Sequence, residues 1–324
     1  MLSRGLVDVY KRQIQYSTPA RACHKARRDF TGMSLNRRRE SMQGKHVAIT
    51  GSTAGIGRAA ALELARRGAS LTLFCRNPEK VVSLQQEIVA AGGESPAVII
   101  MDMAELASVR RAAEEFLASG QPLDVLLNNA GVINTVRRET VDGFEETLAV
   151  NHFAPFVLTG MLLPALRRPP SSRIVNVASG AHAFVRDMGF DDIQALRRYR
   201  TFEAYGRSKL ANILFTRSLA RRLDGSSITV NCLHPGAVAT SLGKNNGVAG
   251  RVVTRLVKPF FRTPEKGAET SIHLCCSEAV TGTSGAYFVD CREKTPKPWA
   301  MDDEAAERLW EYTEKSTGFT YGME

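Results

Sequence analysis

From Lys45 onward the chain alternates short apolar runs with longer amphipathic ones, and this alternation limits its fold more than any other feature. HVAIT (46–50), SLTLFC (70–75), AVIIM (97–101), DVLL (124–127), RIVNVA (173–178), ITVNCL (228–233) and AYFVD (286–290) read as buried strands. Helical patterns separate them, among them 58–67, 105–117, Val141–Arg167 and Phe202–Leu223. Strands apolar on both sides and joined by helices are satisfied in a parallel sheet covered on both faces. Right-handed crossovers then give an α/β, doubly wound parallel sheet in one domain. No repeat, low-complexity tract or Pro/Gly/Ser linker divides residues 44–324.

Composition removes several classes. With 44% hydrophobic and 23% charged residues the chain is neither a disordered tail nor a collagen-like or disulfide-stapled peptide. The net charge of +10 is uneven: residues 1–43 contribute +7, and the rest of the chain only +3. That small surplus gives no reason to expect a nucleic-acid partner. Six cysteines lie at 23, 75, 232, 275, 276 and 291 without a C-x-x-C spacing, so neither a zinc site nor a redox dithiol is expected. Cys275 and Cys276 fall in a helix-like run, where a vicinal disulfide is not expected. The reading is a reduced, intracellular, cytoplasmic protein. No run of about eighteen apolar residues occurs, so a transmembrane segment is not expected.

Residues 1–43 form a basic leader that we expect to be disordered. SRGLVDVYKRQ (3–13) matches, with one mismatch at Val7, the translation of a common sequencing-library adapter, and is read as an assembly artefact. The remainder, through Arg37-Arg38-Arg39, fits an organellar transit peptide or untranslated sequence read through in frame, with Met33 or Met42 as the start.

Between the first strand and helix lies Thr50-Gly51-Ser52-Thr53-Ala54-Gly55-Ile56-Gly57. Glycines there permit a tight turn and let backbone N–H groups and a helix N-terminus approach a pyrophosphate. The spacing is G-x-x-x-G-x-G, so the generic G-x-G-x-x-G fingerprint is not met. Further motifs follow in order: Asn128-Asn129-Ala130-Gly131, Asn151, Ser179, Tyr205-Gly206-Arg207-Ser208-Lys209 and His234-Pro235-Gly236. An isolated Y-x-x-x-K on a helix is ordinarily a lysine snorkelling past a packed tyrosine. Here its company reverses that reading. Tyr205 and Lys209, at i and i+4, share a helix face. An ammonium beside a phenol favours the phenolate, which lets the oxygen exchange a proton nearer neutrality.

This ordered set resembles the short-chain dehydrogenase/reductase family, over essentially Gly44 to Gly318. The resemblance implies a Rossmann-type fold and a nicotinamide dinucleotide. LANILFTRSLARRL (210–223), HPGAVATSLGKN (234–245), RTPEKGAETSIHL (262–274), SGAYFVDCREKTP (284–296) and the wide Ser179–Tyr205 interval of 26 residues resemble its retinol-dehydrogenase-like branch. So does the final helix around 302–318.

By that resemblance Tyr205 is the general acid/base, Ser179 hydrogen-bonds the substrate oxygen, Lys209 tunes Tyr205 and binds the nicotinamide ribose, and Asn151 holds a relay water. Gly51, Ser52, Thr53, Gly55, Ile56 and Gly57 would face the pyrophosphate. Asp102 and Met103 would meet the adenine, Ala130 and Gly131 the adenosine ribose, and Asn129 would also belong to the cofactor site. Pro235, Gly236, Val238 and Thr240 would border the nicotinamide. Arg76, nineteen residues after Gly57 and followed by Asn77, stands where a carboxylate would select NAD. A guanidinium there suits a 2′-phosphate, so NADP(H) is the expected cofactor. Arg207 and Ser208 are read as surface and packing residues, His182 and His234 as structural.

The expected activity is interconversion of a lipophilic aldehyde or ketone and its alcohol. A light-driven protochlorophyllide-reductase-like enzyme and a non-catalytic NADP(H) sensor are the alternatives. The insertion 180–204 and the segment 241–263 would flank the substrate. The latter fits a lid, an interfacial helix resting on anionic lipid, or a core-facing helix with a basic outer side. The family often forms homodimers through the helices carrying Asn151 and Tyr205.

Overall fold

The computed structural model describes residues 40–238 and 262–322. Thr240, the segment 241–261 and the leader through residue 39 lie outside them. Seven strands run parallel: β1 (His46–Thr50), β2 (Ser70–Cys75), β3 (Ala97–Ile100), β4 (Val125–Asn128), β5 (Ser172–Val177), β6 (Ile228–His234) and β7 (Tyr287–Val289). An eighth, β8 (Arg292–Glu293), pairs antiparallel with β7. The order is β3-β2-β1-β4-β5-β6-β7-β8. The chain reverses direction beside β1, which opens a crevice between β1 and β4 at the carboxyl ends of the strands.

Helices cover both faces. α1 (Gly55–Arg66), α2 (Glu79–Ala90) and α6 (Pro264–Cys276) bury Leu64, Leu84, Ile88 and Leu274 against one side. α3 (Leu106–Ala118), α4 (Glu146–Leu166), α5 (Thr201–Arg222) and α7 (Asp303–Thr317) bury Phe116, Phe156, Leu214 and Leu309 against the other. Each such side chain removed from water contributes on the order of 1.5–3 kcal/mol, so these two layers dominate stability.

α4 departs from expectation twice. It starts at Glu146, not Val141, because the buried Glu145 carboxylate caps it, accepting from Thr147 N at 2.9 Å and Leu148 N at 2.8 Å. Although the sequence led us to expect no spanning segment, α4 is long and apolar enough to cross a membrane by length and composition. In its most apolar stretch 83% is buried inside the protein, which makes it a core helix. Its ladder widens into a π-helical turn at Ala149–Phe153.

At the start of the described chain, Met42 is buried and its N–H donates to Arg67 O at 2.8 Å. The Glu40 carboxylate accepts from Ser277 Oγ at 2.8 Å and Glu278 N at 3.2 Å. The packed chain therefore begins ahead of Gly44, where the leader was expected to end.

α7 is capped by Asp302, whose side chain accepts from Ala305 N at 3.0 Å. It lies against α5 through ion pairs of Asp303 with Arg217 and Arg221, and of Glu307 with Arg221 and Arg222. Hydrogen bonding to Arg222 is the leading cause that pulls the Glu307 carboxyl down to about 2. Such exposed pairs hold register more than they add stability. The Arg222 guanidinium lies 3.9 Å from the Trp310 ring centroid, and Trp310 packs edge-on to Phe156 of α4 at 4.9 Å.

Candidate active site

Every residue singled out in the motifs lies at or beyond the carboxyl end of a strand, or on the helices that line that end. The glycine loop follows β1 and is clamped from β4. Thr50 Oγ1 accepts from Asn129 N at 3.0 Å and Ala130 N at 2.9 Å, while Asn129 Nδ2 donates to Thr50 O at 3.0 Å and Gly51 O at 3.1 Å. This clamp leaves no room for side chains. A Cβ on Gly51 (φ +67°) would sit 2.8 Å from Ala130 Cα, and one on Gly57 only 2.3 Å from Asn129 Nδ2. Asn129 thus shapes the loop with a side chain already committed to it.

The loop fits an anionic ligand. Ser52 Oγ is buried without a hydrogen-bond partner among the described residues, an arrangement that costs about 1–3 kcal/mol until a partner arrives. Ala54 offers α1 no side-chain cap, which leaves its first N–H groups to a ligand. Gly55 and Ile56 form the first residues of that helix. Thr53 is half-buried at its mouth.

At the adjoining end, Arg76 follows β2 with its side chain 68% exposed and its guanidinium 3.9 Å from the Asp102 carboxylate. Asp102 Oδ1 accepts from Ala104 N at 3.0 Å, and Met103 is buried beside it. Asn77 Oδ1 accepts from Glu79 N at 2.9 Å, which occupies it at the start of α2.

β5, α4 and α5 bring the remaining polar residues together. Lys209 is buried, donates from Nζ to Val177 O at 2.9 Å, and lies 5.8 Å from the Tyr205 ring centroid. Burial lowers its ammonium to about 8. Val177 ends β5, two residues before Ser179, whose Oγ accepts from Ala181 N at 3.1 Å. Asn151 occupies the π-helical turn of α4 and is fully buried. Its Oδ1 accepts from Val132 N at 2.8 Å, and its Nδ2 donates to Val132 O at 3.0 Å and to Ser208 Oγ at 2.9 Å. Ser208 Oγ in turn donates to Tyr205 O at 2.8 Å. Gly131 backs this group: a Cβ there would lie 3.2 Å from Asn151 Oδ1 and 3.4 Å from Lys209 Nζ.

Beyond β6, Pro235 and Gly236 lead to Val238, which pairs with Arg262 across the undescribed segment. Arg262 covers Gly236 and forms an ion pair with Asp290.

Three residues differ from the sequence reading. Ser208 is not mere packing, since it links Asn151 to the backbone of Tyr205. Arg207 is not a surface residue: its side chain is 18% exposed, pairs with Glu203 at 2.7 Å and packs against Gly189 of the insertion. Thr50 was quoted as the first residue of the loop motif but given no role of its own, and its hydroxyl organises the loop. Ser208 at i+3 from Tyr205 carried a signal, because that spacing shares a helix face. Thr50 had none.

The short chain dehydrogenase family model matches residues 45–249. Mouse retinol dehydrogenase 14 is 45% identical over 291 residues, covering 86% of this chain and 87% of its own. Human retinol dehydrogenase 13 is 40% identical, covering 86% of each. A crystal structure of an uncharacterised Mycobacterium paratuberculosis protein superposes with TM-score 0.70 at 29% identity, over 88% of this chain and 97% of that one. The chain belongs to the short-chain dehydrogenase/reductase family, whose members use NAD(P) cofactors. Within the family it is an oxidoreductase of the retinol-dehydrogenase-like branch.

Proposed function

We propose that this protein is an NADP(H)-dependent oxidoreductase that interconverts a lipophilic aldehyde or ketone, of retinal-like class, and its alcohol. The observation that carries the chemistry is the buried Lys209 ammonium, one helical turn from Tyr205 and bonded to Val177 O beside Ser179. A cation held there favours charge on the Tyr205 oxygen, which suits that residue to general acid/base work. In reduction Tyr205 donates its phenolic proton to the substrate oxygen, and in oxidation it takes that proton back. Ser179 Oγ hydrogen-bonds the same oxygen, and Asn151 orients the water that exchanges the proton with solvent. A bound nicotinamide dinucleotide supplies or accepts the hydride.

The glycine loop and Ser52 would hold its pyrophosphate, Asp102 and Met103 its adenine, Ala130 and Gly131 its adenosine ribose, and Pro235, Gly236, Val238 and Thr240 its nicotinamide. Preference for NADP(H) rests on Arg76, an exposed guanidinium at the end of β2. The Pseudomonas aeruginosa RhlG structure, 26% identical with TM-score 0.61 over 76% of this chain and 95% of that one, is an NADP active-site complex. The substrate class follows the retinol dehydrogenase relatives. The five free cysteines among the described residues support an intracellular location. α7 packs against α5 and α4, the helices through which the family resemblance would pair two copies, and so covers part of that face.

Absorbance at 340 nm with NADPH or NADH, against retinal and shorter aldehydes, tests the proposal. Wild-type protein should turn over retinal-class aldehydes with NADPH preferred. Arg76→Asp should raise the KM for NADPH by about 10–100-fold, the worth of a charge-assisted contact, without raising that for NADH. Equal loss with both dinucleotides would remove Arg76 from cofactor choice.

A further inference from the structure

Two buried histidines stand next to the proposed site without belonging to it, and both are tied to the C-terminal segment. His152 follows Asn151 within the same π-helical turn, and its Nε2 lies 2.8 Å from Thr313 Oγ1 of α7. The Thr313 hydroxyl proton is committed to Leu309 O at 2.7 Å, so Thr313 Oγ1 is the acceptor and His152 donates from Nε2–H. Its Nδ1 has no partner among the described residues, and burial drives the ring's protonation down to about 3, so the ring stays neutral.

His182 carries the opposite tautomer. Its Nδ1 lies 2.7 Å from Ser179 O, which can only accept, and its Nε2 accepts from Lys297 N at 3.3 Å. Trp299 Nε1 donates to His182 O at 2.9 Å, which fastens the same turn a second time.

We propose that the C-terminal segment, residues 297–321, is a positioning element for the active site: it braces Asn151 through His152–Thr313 and Ser179 through His182–Lys297. The brace rests on the reading of Asn151 and Ser179 as working residues. Its rigidity has visible sources. α7 is pinned to α5 by the Arg217, Arg221 and Arg222 pairs, and Tyr321 donates from its hydroxyl to Phe156 O at 2.7 Å, one turn beyond Asn151. In the π-helical turn the backbone bond runs from Ala154 N to Ala149 O, five residues back, so the outside hold on His152 adds to the bonds of Asn151 with Val132 and Ser208. His152, His182 and Thr313 are buried, and they act through the backbone at Asn151 and Ser179.

Thr313→Val removes the acceptor at nearly constant volume, and Thr313→Ser keeps it. On the second leg, Lys297 has φ −64°, a value proline fits, so Lys297→Pro replaces the N–H by the ring Cδ, which removes the donor and displaces His182 Nε2, with Lys297→Ala controlling for the side chain. We expect Thr313→Val and Lys297→Pro each to lower kcat by about 10–100-fold, the effect of displacing a reacting group by a fraction of an ångström to an ångström. KM and dinucleotide affinity should stay within about twofold, and Thr313→Ser and Lys297→Ala should remain near wild type. The position of Asn151 is read independently of turnover by its side-chain amide signals in asparagine-labelled protein. They should move in Thr313→Val and return in Thr313→Ser. Unmoved amide signals, or unchanged kcat in both Thr313→Val and Lys297→Pro, would overturn the brace. If wild type reduces no carbonyl, the reductase reading falls, and the amide signals still decide the brace.

Discussion

Lys209 shows what the site costs the fold. Its ammonium is lowered by burial from 10.5 to about 8, so keeping it charged in the folded protein costs about 3 kcal/mol. The folded state loses its proton before the unfolded chain does. The penalty is therefore full below about pH 8 and is relieved as pH rises toward 10.5. Lys209→Met, of similar length and without charge, should be inactive yet more stable, by on the order of 1–3 kcal/mol at pH 7, with the gain vanishing near pH 10.5. Val177 O would keep a partner in Asn212 Nδ2 at 3.3 Å. Thermal melts across pH check this, and a variant less stable than wild type at pH 7 would contradict it. Asn151, Ser179, Tyr205 and Lys209 were singled out in the sequence by the ordered motifs that carry the family resemblance, and the i, i+4 spacing of Tyr205 and Lys209 supported that reading. The contacts that Thr50, Ser208 and His152 make could not be read, since they join segments tens of residues apart, such as Ser208 with Asn151.

At the scale of elements, the central strands were legible almost to their ends because both of their faces are buried, and the edge strand β3, though half exposed, keeps an apolar run as well. Irregular geometry was not. The π-helical turn in α4 leaves no mark in an apolar stretch such as AVNHF, whose composition suits an ordinary helix equally well. β8 was missed for a related reason. Its two-residue turn from β7 places Asp290 (φ 53°) and Cys291 (φ 58°) in the left-handed region, where Asn-Gly would have announced a hairpin. The Arg262–Asp290 pair fastens that turn to the chain re-entering after residue 261. The start of α4 was misplaced because Glu145 caps the helix with a buried carboxylate, and burial raises the protonation of that group against the pull of its N–H donors. A glutamate is seldom read as a cap. α7 was legible as a helix from its amphipathic pattern, but its attachment to α5 depends on which arginines face it.

Across the whole molecule, burial makes four of the described histidines a shared source of acid sensitivity. His152 is held to about 3 and His234 to about 4, and His46 and His182 are lowered as well, burial being the leading cause for each. In the unfolded chain each takes up a proton near pH 6.5, while the folded protein does not. Their contribution is therefore intact above about pH 6.5 and is lost as pH falls toward the folded values. His152 and His234 alone give a slope of about 2–3 kcal/mol per pH unit near pH 5. The carboxylates of Glu307 and Asp303, both lowered by their arginines, extend the loss below their unfolded values. The melting temperature should accordingly drop steeply between pH 6.5 and 5. A flat profile there would show that these rings reach solvent or a partner when charged.

The central claim is that Tyr205 moves the proton at a site built to hold a dinucleotide, and Tyr205→Phe tests it most directly. The variant keeps the ring beside Lys209 and loses only the hydroxyl. Dinucleotide affinity, followed by NADPH fluorescence, should stay near wild type, while kcat for a retinal-class aldehyde falls by about 10²–10⁴-fold, the usual worth of a general acid. Turnover retained at wild-type level would contradict the account, and would mean that another group carries the proton.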